Sequence, residues 1–343
     1  LMAPQTLQIP LVILATLATI VASQAVITGA FSLTQQAVQL GLFPRLQIVN
    51  TSAKEHGQIY MPQINWMLLA GVVFLVLAFK SSSALANAYG VSVIGAMITS
   101  SILAVIAVHR IWKKSLWLAA LIVAPFLVVE SVFLASNLLK LPSGGYVPLL
   151  IAAALMLVMW TWVRGTKILL ARTRKDVSTR DVFKGLEVSP PHTAKGTAVF
   201  LTADPDAAPT ALLHNLKHNK ELHEHNVILN VRAVQEPYVA DDKKIEVVEI
   251  APNLDRLTMS FGYMETPNVS RGLTLAKKCG LSFDIMHTSF FLSRRTLLAD
   301  GKWGMPLWQD HLFIFLSRNA TNATEFFRIP TSRVVELGSQ MTI

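Results

Sequence analysis

Carboxylates are almost missing from the first 163 residues of this 343-residue chain, where Glu55 and Glu130 are the only two and Lys and Arg together number seven. The remaining 180 residues carry 23 Lys and Arg against 19 Asp and Glu. A water-soluble globule needs a charged surface, so the first half is not one, and a chain this apolar is not disordered. Cysteine is equally scarce. With Cys279 alone no internal disulfide can form, which excludes a disulfide-stapled scaffold and fits a reducing compartment for the polar half. A P-loop, a dinucleotide-binding glycine fingerprint and a nucleophile elbow are absent, so no catalytic constellation marks an enzyme and no cofactor is expected. The net charge of +9 does not require nucleic acid as a partner, because Lys and Arg gather on the cytoplasmic flanks of membrane proteins.

What the first half has is long apolar runs. A helix needs about 20 apolar residues to cross roughly 30 Å of hydrocarbon. Five stretches, at about 9–37, 64–79, 84–108, 116–135 and 146–163, meet or approach that length. Backbone polar groups must be satisfied within each segment in lipid, so these are helices, and the expected class is a polytopic α-helical membrane protein. His109, Arg110, Lys113 and Lys114 cluster after the third run, and Arg164, Lys167, Arg172, Arg174 and Lys175 after the fifth. The intervening loops offer only Lys80 and Lys140. The positive-inside rule then puts the two basic segments, the 41–61 loop with Arg45 and Lys54, and the whole polar half in the cytoplasm. Leu1 falls outside. With an outside start, an odd number of spans and no basic leader, the expectation is the C-terminal part of a longer protein.

Polar residues inside the runs are the candidate functional groups. In the first, Thr16, Thr19 and Ser23 recur at helical spacing beside the small Ala15, Ala22 and Gly29. They read either as close-packing helix contacts or, through Ser23, Gln24 and Thr28, as oxygens lining a path for a small cation. The third run repeats the theme with Ser81, Ser82, Ser83, Asn87, Tyr89, Ser92 and Thr99. Glu130 is the only carboxylate within any run; it reads as a proton or cation group, or as an acid near the outer end that reaches headgroups.

The segment Ile20–Thr34 (IVASQAVITGAFSLT) with Gln39-Leu40-Gly41 resembles the eighth membrane helix of the Kup/HAK/KT potassium uptake family. Gly57-Gln58-Ile59-Tyr60-Met61-Pro62, Ile64-Asn65-Trp66, Ala86-Asn87-Ala88-Tyr89-Gly90 and Ser143-Gly144-Gly145 fit the segments that follow. In the polar half His214–Lys220 (HNLKHNK), Thr288-Ser289-Phe290-Phe291 and Arg333–Gln340 (RVVELGSQ) continue the likeness to the end, which is closest to the bacterial branch. The resemblance implies the last five of twelve helices on the LeuT-like plan of the amino-acid/polyamine/organocation superfamily, then a cytosolic domain. It implies a multi-pass protein of the bacterial inner (plasma) membrane that takes up K+, with H+ as co-substrate, by alternating access. It also places the main potassium site on the first and sixth helices, which this chain does not contain. The alternatives are an amino-acid permease of the same superfamily and a membrane-anchored regulatory or receptor module.

The expected domains are a membrane part, residues 1–163, a basic juxtamembrane linker, 164–189, and a cytosolic α/β domain, 190–343, starting at Ser189-Pro190-Pro191. Strands are expected at 197–201, 227–234, 244–250, 257–263, 283–292 and 333–337, and helices at 207–219, 269–279 and 308–320. His214, His218, His223 and His225 invite a metal reading, but the neighbouring Lys217 and Lys220 repel a cation. Regulation or a homodimer contact is the expected work of this domain.

Overall fold

The computed structural model describes residues 4, 7–50, 59–173, 178–278, 280, 284, 287–301 and 304–343. Leu1, Lys54, Gly57, Gln58, Arg174, Lys175, Cys279 and Phe283 lie outside the described residues. The chain divides into two compact units, Trp66–Val158 and, together, Leu1–Asn65 with Met159–Ile343.

Five helices among the described residues are long and apolar enough to cross a membrane. They are α1 (Gln8–Gln39), α2 (Pro62–Phe79), α3 (Ser82–Arg110), α4 (Leu116–Leu138) and α5 (Tyr146–Thr173). In the unit Trp66–Val158, α3 and α4 pack as a hairpin. Each start is fixed by a serine: Ser81 Oγ accepts from the Ala84 amide and Ser115 Oγ from the Leu118 amide, both at 3.3 Å. The buried face of α3 runs through Ile94, Ser101 and Val108, and that of α4 through Ala119, Val123 and Glu130. Spacings of four and seven put each set on a single helix face. Gly90 leaves room for the Asn137 side chain of α4, since a Cβ there would lie 2.6 Å from Asn137 Oδ1. Gly144, at φ +115°, makes the left-handed turn that ends the short 3-10 segment Leu141–Ser143 before α5.

In the other unit, α1 buries Phe31, Gln35 and Val38 near its C-terminal end. Phe31 meets Tyr60 edge-on at 5.9 Å. Tyr60 belongs to a two-residue ribbon in which β1 (Val49–Asn50) pairs antiparallel with β2 (Ile59–Tyr60).

The C-terminal domain is built on a six-stranded sheet. Its strands are β3 (His192–Thr202), β4 (Glu221–Val234), β5 (Ile245–Ala251), β6 (Leu254–Gly262), β7 (Thr288–Leu298) and β8 (Val334–Thr342). They lie in the order β5-β6-β4-β3-β7-β8 and all neighbours are parallel except the edge pair β5/β6. A parallel sheet is covered on both faces, so its central strands are apolar without alternation. Accordingly Val199, Val227, Leu229, Phe290 and Leu292 enter one core with Val269 and Leu273 of α8 (Val269–Lys278). Ala198, Phe200, Ile228 and Phe291 point the other way. They meet Ala211 and Leu212 of α7 (Thr210–His214) and Phe183 of α6 (Thr179–Val188). Phe200 and Phe291 stack at 5.0 Å. The domain is completed by α9 (Leu307–Arg318) and α10 (Ala323–Phe326).

Three expectations are corrected. The stretch 164–189, read as a basic linker whose first part is helical, is helical to Thr173 but is not a linker throughout: α6 follows with Phe183 6% exposed in the domain core. Pro190 and Pro191 separate α6 from β3, but the domain has already begun. The strand expected at 283–292 lies at Thr288–Leu298, and the helix expected at 207–219 starts at Thr210 and ends as a π-turn, Asn215–Asn219.

Candidate functional site

The hydroxyls of α1 are first used within the helix itself. Thr16, Thr19, Thr28 and Thr34 each donate to the carbonyl four residues earlier, at 2.8–2.9 Å. This satisfies the hydroxyl hydrogen in an apolar setting and leaves the oxygen's lone pairs facing outward. Thr28 bonds the Gln24 carbonyl at 2.9 Å, and the two side chains lie about 40° apart around the axis, given roughly 100° per residue. Ser23 is turned about 100° from Gln24 and falls in line with Thr19 and Thr16 instead. Ser23, Gln24 and Thr28 are all exposed. The three expected path residues therefore form two rows, one of Gln24 with Thr28 and one of Ser23 with Thr19.

The C-terminal end of α1 is tied down within its own unit. Gln36 Nε2 contacts Met264 Sδ at 3.4 Å, and Gln39 Nε2 donates to the Glu265 carbonyl at 3.1 Å. Glu265 is in turn fixed by its carboxylate, which accepts from the Gly262 amide at 2.7 Å and pairs with Lys244 at 2.9 Å. Burial alone would depress the Lys244 ammonium, but hydrogen bonds to Asp241 and Glu265 outweigh it and hold its pKa above the ordinary value.

Glu130 belongs to the other unit. It is 5% exposed on the α3-facing side of α4, eight residues before the helix ends, and Ser101 Oγ donates to its Oε1 at 2.8 Å. Oε2 is also buried and has no hydrogen-bond partner among the described residues. An acid reaching for headgroups would be exposed, so that reading of Glu130 is overturned: it is an inward-facing carboxyl in a two-helix contact. Its partner Ser101 was missed in the sequence. The signal was there, since Ser101 sits seven residues from both Ile94 and Val108 on the buried stripe of α3. Ser92 and Thr99 donate to the Ala88 and Gly95 carbonyls, and Tyr89 is 71% exposed.

The histidines do not gather. His214 and His218 lie with ring centroids 5.7 Å apart, His223 packs edge-on against Phe291 at 5.7 Å, and His225 is exposed. Among the described residues no three His, Cys, Asp or Glu side chains are placed to share a metal ion. Burial lowers the His223 pKa, and nearby Glu221 opposes that shift.

A second set unforeseen in the sequence joins α5 to the C-terminal domain. Gln309, fully buried on α9, donates to Thr161 Oγ1 at 3.2 Å, and Arg164 reaches the Gln309 side chain and the Gly304 carbonyl. Trp162 and Phe313 meet at 5.3 Å over Gly165, which has no room for a Cβ because Phe313 would be 2.3 Å away.

Residues 1–167 match the K+ potassium transporter integral membrane domain, and residues 195–343 match the K+ potassium transporter C-terminal domain. The chain is 52% identical over all its 343 residues to a probable potassium transport system protein Kup of Caulobacter vibrioides strain NA1000 / CB15N, of which it covers 52%. It is 52% identical to Kup 2 of Bradyrhizobium sp. strain BTAi1 and 50% identical to Kup 2 of Rhodopseudomonas palustris strain BisB18, covering 54% of each. It thus spans about half the length of these curated relatives. Their names are those of transporters, not enzymes, and none supports an amino-acid permease.

Proposed function

The chain belongs to the Kup/HAK/KT family, and from that premise we propose that it is part of a carrier that takes potassium into the cell across the bacterial inner membrane. The observation that carries this reading is the continuous likeness, over every residue of the chain, to proteins named for potassium transport. The finer proposal is potassium:proton symport by alternating access on a LeuT-like plan, with α1 to α5 as the last five of twelve helices. No cofactor takes part. The main ion site lies on helices outside this chain, and the C-terminal domain is cytoplasmic, with a homodimer contact as one of its roles.

Within the chain, Glu130 is proposed as a proton-carrying group. An acid inside the bilayer is costly and is retained where it faces a bundle interior or a proton or ion path, and Glu130 is buried with one oxygen unengaged among the described residues. Gln24 and Thr28 are proposed as one oxygen-rich row beside the cation path, with Ser23 on the neighbouring row. Oxygen ligands replace the hydration shell of a monovalent cation without charge.

The test is rubidium uptake by potassium-uptake-deficient bacteria carrying the complete reading frame that encodes this chain, at acidic and neutral external pH. Uptake that is competed by potassium and rises in acid is the expected result. Uptake indifferent to pH would remove the proton from the proposal, and no uptake from protein shown to be in the membrane would overturn the potassium reading.

A further inference from the structure

The parallel strands of the C-terminal sheet are doubly wound. From β3 the chain moves outward through β4 to β6, then returns to the other side of β3 for β7 and moves outward again to β8. The direction reverses between β3 and β7. In open sheets of this kind ligands bind in the crevice outside the carboxyl ends of the strands at that reversal. A cavity of about 400 Å³ lies there, lined by Leu201 and Thr202 from the end of β3, Arg294 and Arg295 from β7, and Thr210 at the start of α7. Its size is that of a small-molecule site. The β3–α7 connection, Thr202 to Thr210, contains no glycine, so the dinucleotide-binding turn is excluded.

The charged lining is three arginines, Arg45, Arg294 and Arg295, against one carboxylate, Glu336. Arg45, from the connection between α1 and β1, also faces the cavity, and its guanidinium lies 5.9 and 5.3 Å from the ring centroids of Phe326 and Phe327. The two rings and the Thr321 amide, which donates to the Arg45 carbonyl at 2.8 Å, fix the residue in place. Surrounding protein lowers its pKa by desolvation although its surface is still open to solvent, as befits a side chain on a cavity wall. Among the described residues the Arg45 guanidinium is held by aromatic rings rather than by an ion pair. Arg294 faces Glu336 at 3.6 Å, a distance too long for a hydrogen bond, and both side chains are more than a third exposed. Such a pair is weak and yields to a better anion. The α5 part of the lining is mostly apolar, with Trp162, Leu169 and Leu170 beside Thr166.

We infer that this cavity binds a phosphate ester, its phosphate held by Arg45 and Arg294 and its organic part against Trp162. Planar guanidinium groups grip phosphate oxygens in paired hydrogen bonds, whereas the apolar wall has nothing to offer a bare inorganic ion. The same chemistry is presented by a soluble phosphate ester and by the headgroup of an anionic phospholipid. The inference does not rest on the transport reading, because no membrane-path residue takes part in it.

The test uses the whole chain in lipid nanodiscs, with tryptophan fluorescence as the reporter since Trp162 lines the site. In one arm, discs of phosphatidylcholine are titrated with glycerol 3-phosphate; in the other, discs containing phosphatidylglycerol are examined by native mass spectrometry for retained lipid. Saturable binding in the first arm identifies a soluble ligand, and selective lipid retention in the second a headgroup; either supports the site. Arg45→Lys and Arg294→Gln should each weaken the binding by about tenfold, as expected when one charge-assisted contact is lost, while Arg232→Ala, an exposed position near the carboxyl end of β4, should not. Binding in neither arm, or binding that Arg45→Lys and Arg294→Gln leave unchanged in folded protein, would overturn the inference.

Discussion

Glu130 illustrates how far a single residue can be read from sequence. That it is an acid among apolar residues is visible in the letters; that it faces Ser101 rather than the surface depends on which side of α4 meets α3. Glu130→Gln keeps an oxygen for the Ser101 hydroxyl but cannot gain and lose a proton. Rubidium uptake by that variant should lose its stimulation by acid, and acid stimulation surviving unchanged would remove Glu130 from the proton path. Ser101→Ala leaves Oε1 without its donor, so it should cost about 1–3 kcal/mol of stability while acid stimulation persists. His223 makes a separate residue-scale prediction. Its pKa is lowered in the folded domain, mainly by burial, so the unfolded chain binds more protons over the interval below the free histidine value. Stability is therefore full above about pH 6.5 and falls as the pH drops from there toward the depressed folded value. His223→Leu, which keeps an apolar contact with Phe291, should show a smaller difference between urea midpoints at pH 7.5 and pH 5.5 than the parent chain.

At the scale of elements, helices set by long apolar runs were legible because the run and the element have the same extent. Their ends were less so. The helix running on past Val163 to Thr173 agrees with the reading of the basic stretch as helical, but the partner of its apolar residues was not legible: Ile168 and Leu169 join Met305, Phe313 and Ile314 in a common cluster. No local pattern announces a partner nearly 150 positions away. The same holds for the membrane hydroxyls, whose types could be read but whose division between two faces of α1 needed the helical geometry. Gly165 marks the closest point of the α5–α9 contact, since any side chain there meets the Phe313 ring. Gly165→Val should destabilise the chain by roughly 1–3 kcal/mol through overpacking, measured by thermal unfolding in detergent. Gly165→Val with Phe313→Ala should recover part of that loss, as expected if the two positions are coupled through direct contact.

For the molecule as a whole, the division into an apolar half and a polar half was plain from charge alone, and the alternation of strands and helices gave the α/β class. The order of the strands was not legible, because parallel pairing is set by crossovers and the sequence spacing of neighbours such as β3 and β7 carries no trace of it. Nor was the start of the C-terminal domain. A proline pair looks like a boundary, but Phe183 lies before it and covers Ala198, Phe200 and Leu212. Fragments with different starts turn this into a measurement. A fragment of residues 190–343 lacks Phe183 and should be less stable than residues 178–343 by roughly 3–5 kcal/mol, the usual consequence of removing a buried aromatic side chain. Residues 178–343 keep both faces of the sheet but leave Met305, Phe313 and Ile314 without Trp162 and Ile168. That fragment should bind an apolar dye, and restoring residues 159–177 should abolish the binding. Equal dye binding by the two longer fragments would mean that the end of α5 merely lies against the domain. A loss of binding would mean that the end of α5 from residue 159 onward is part of the domain's core.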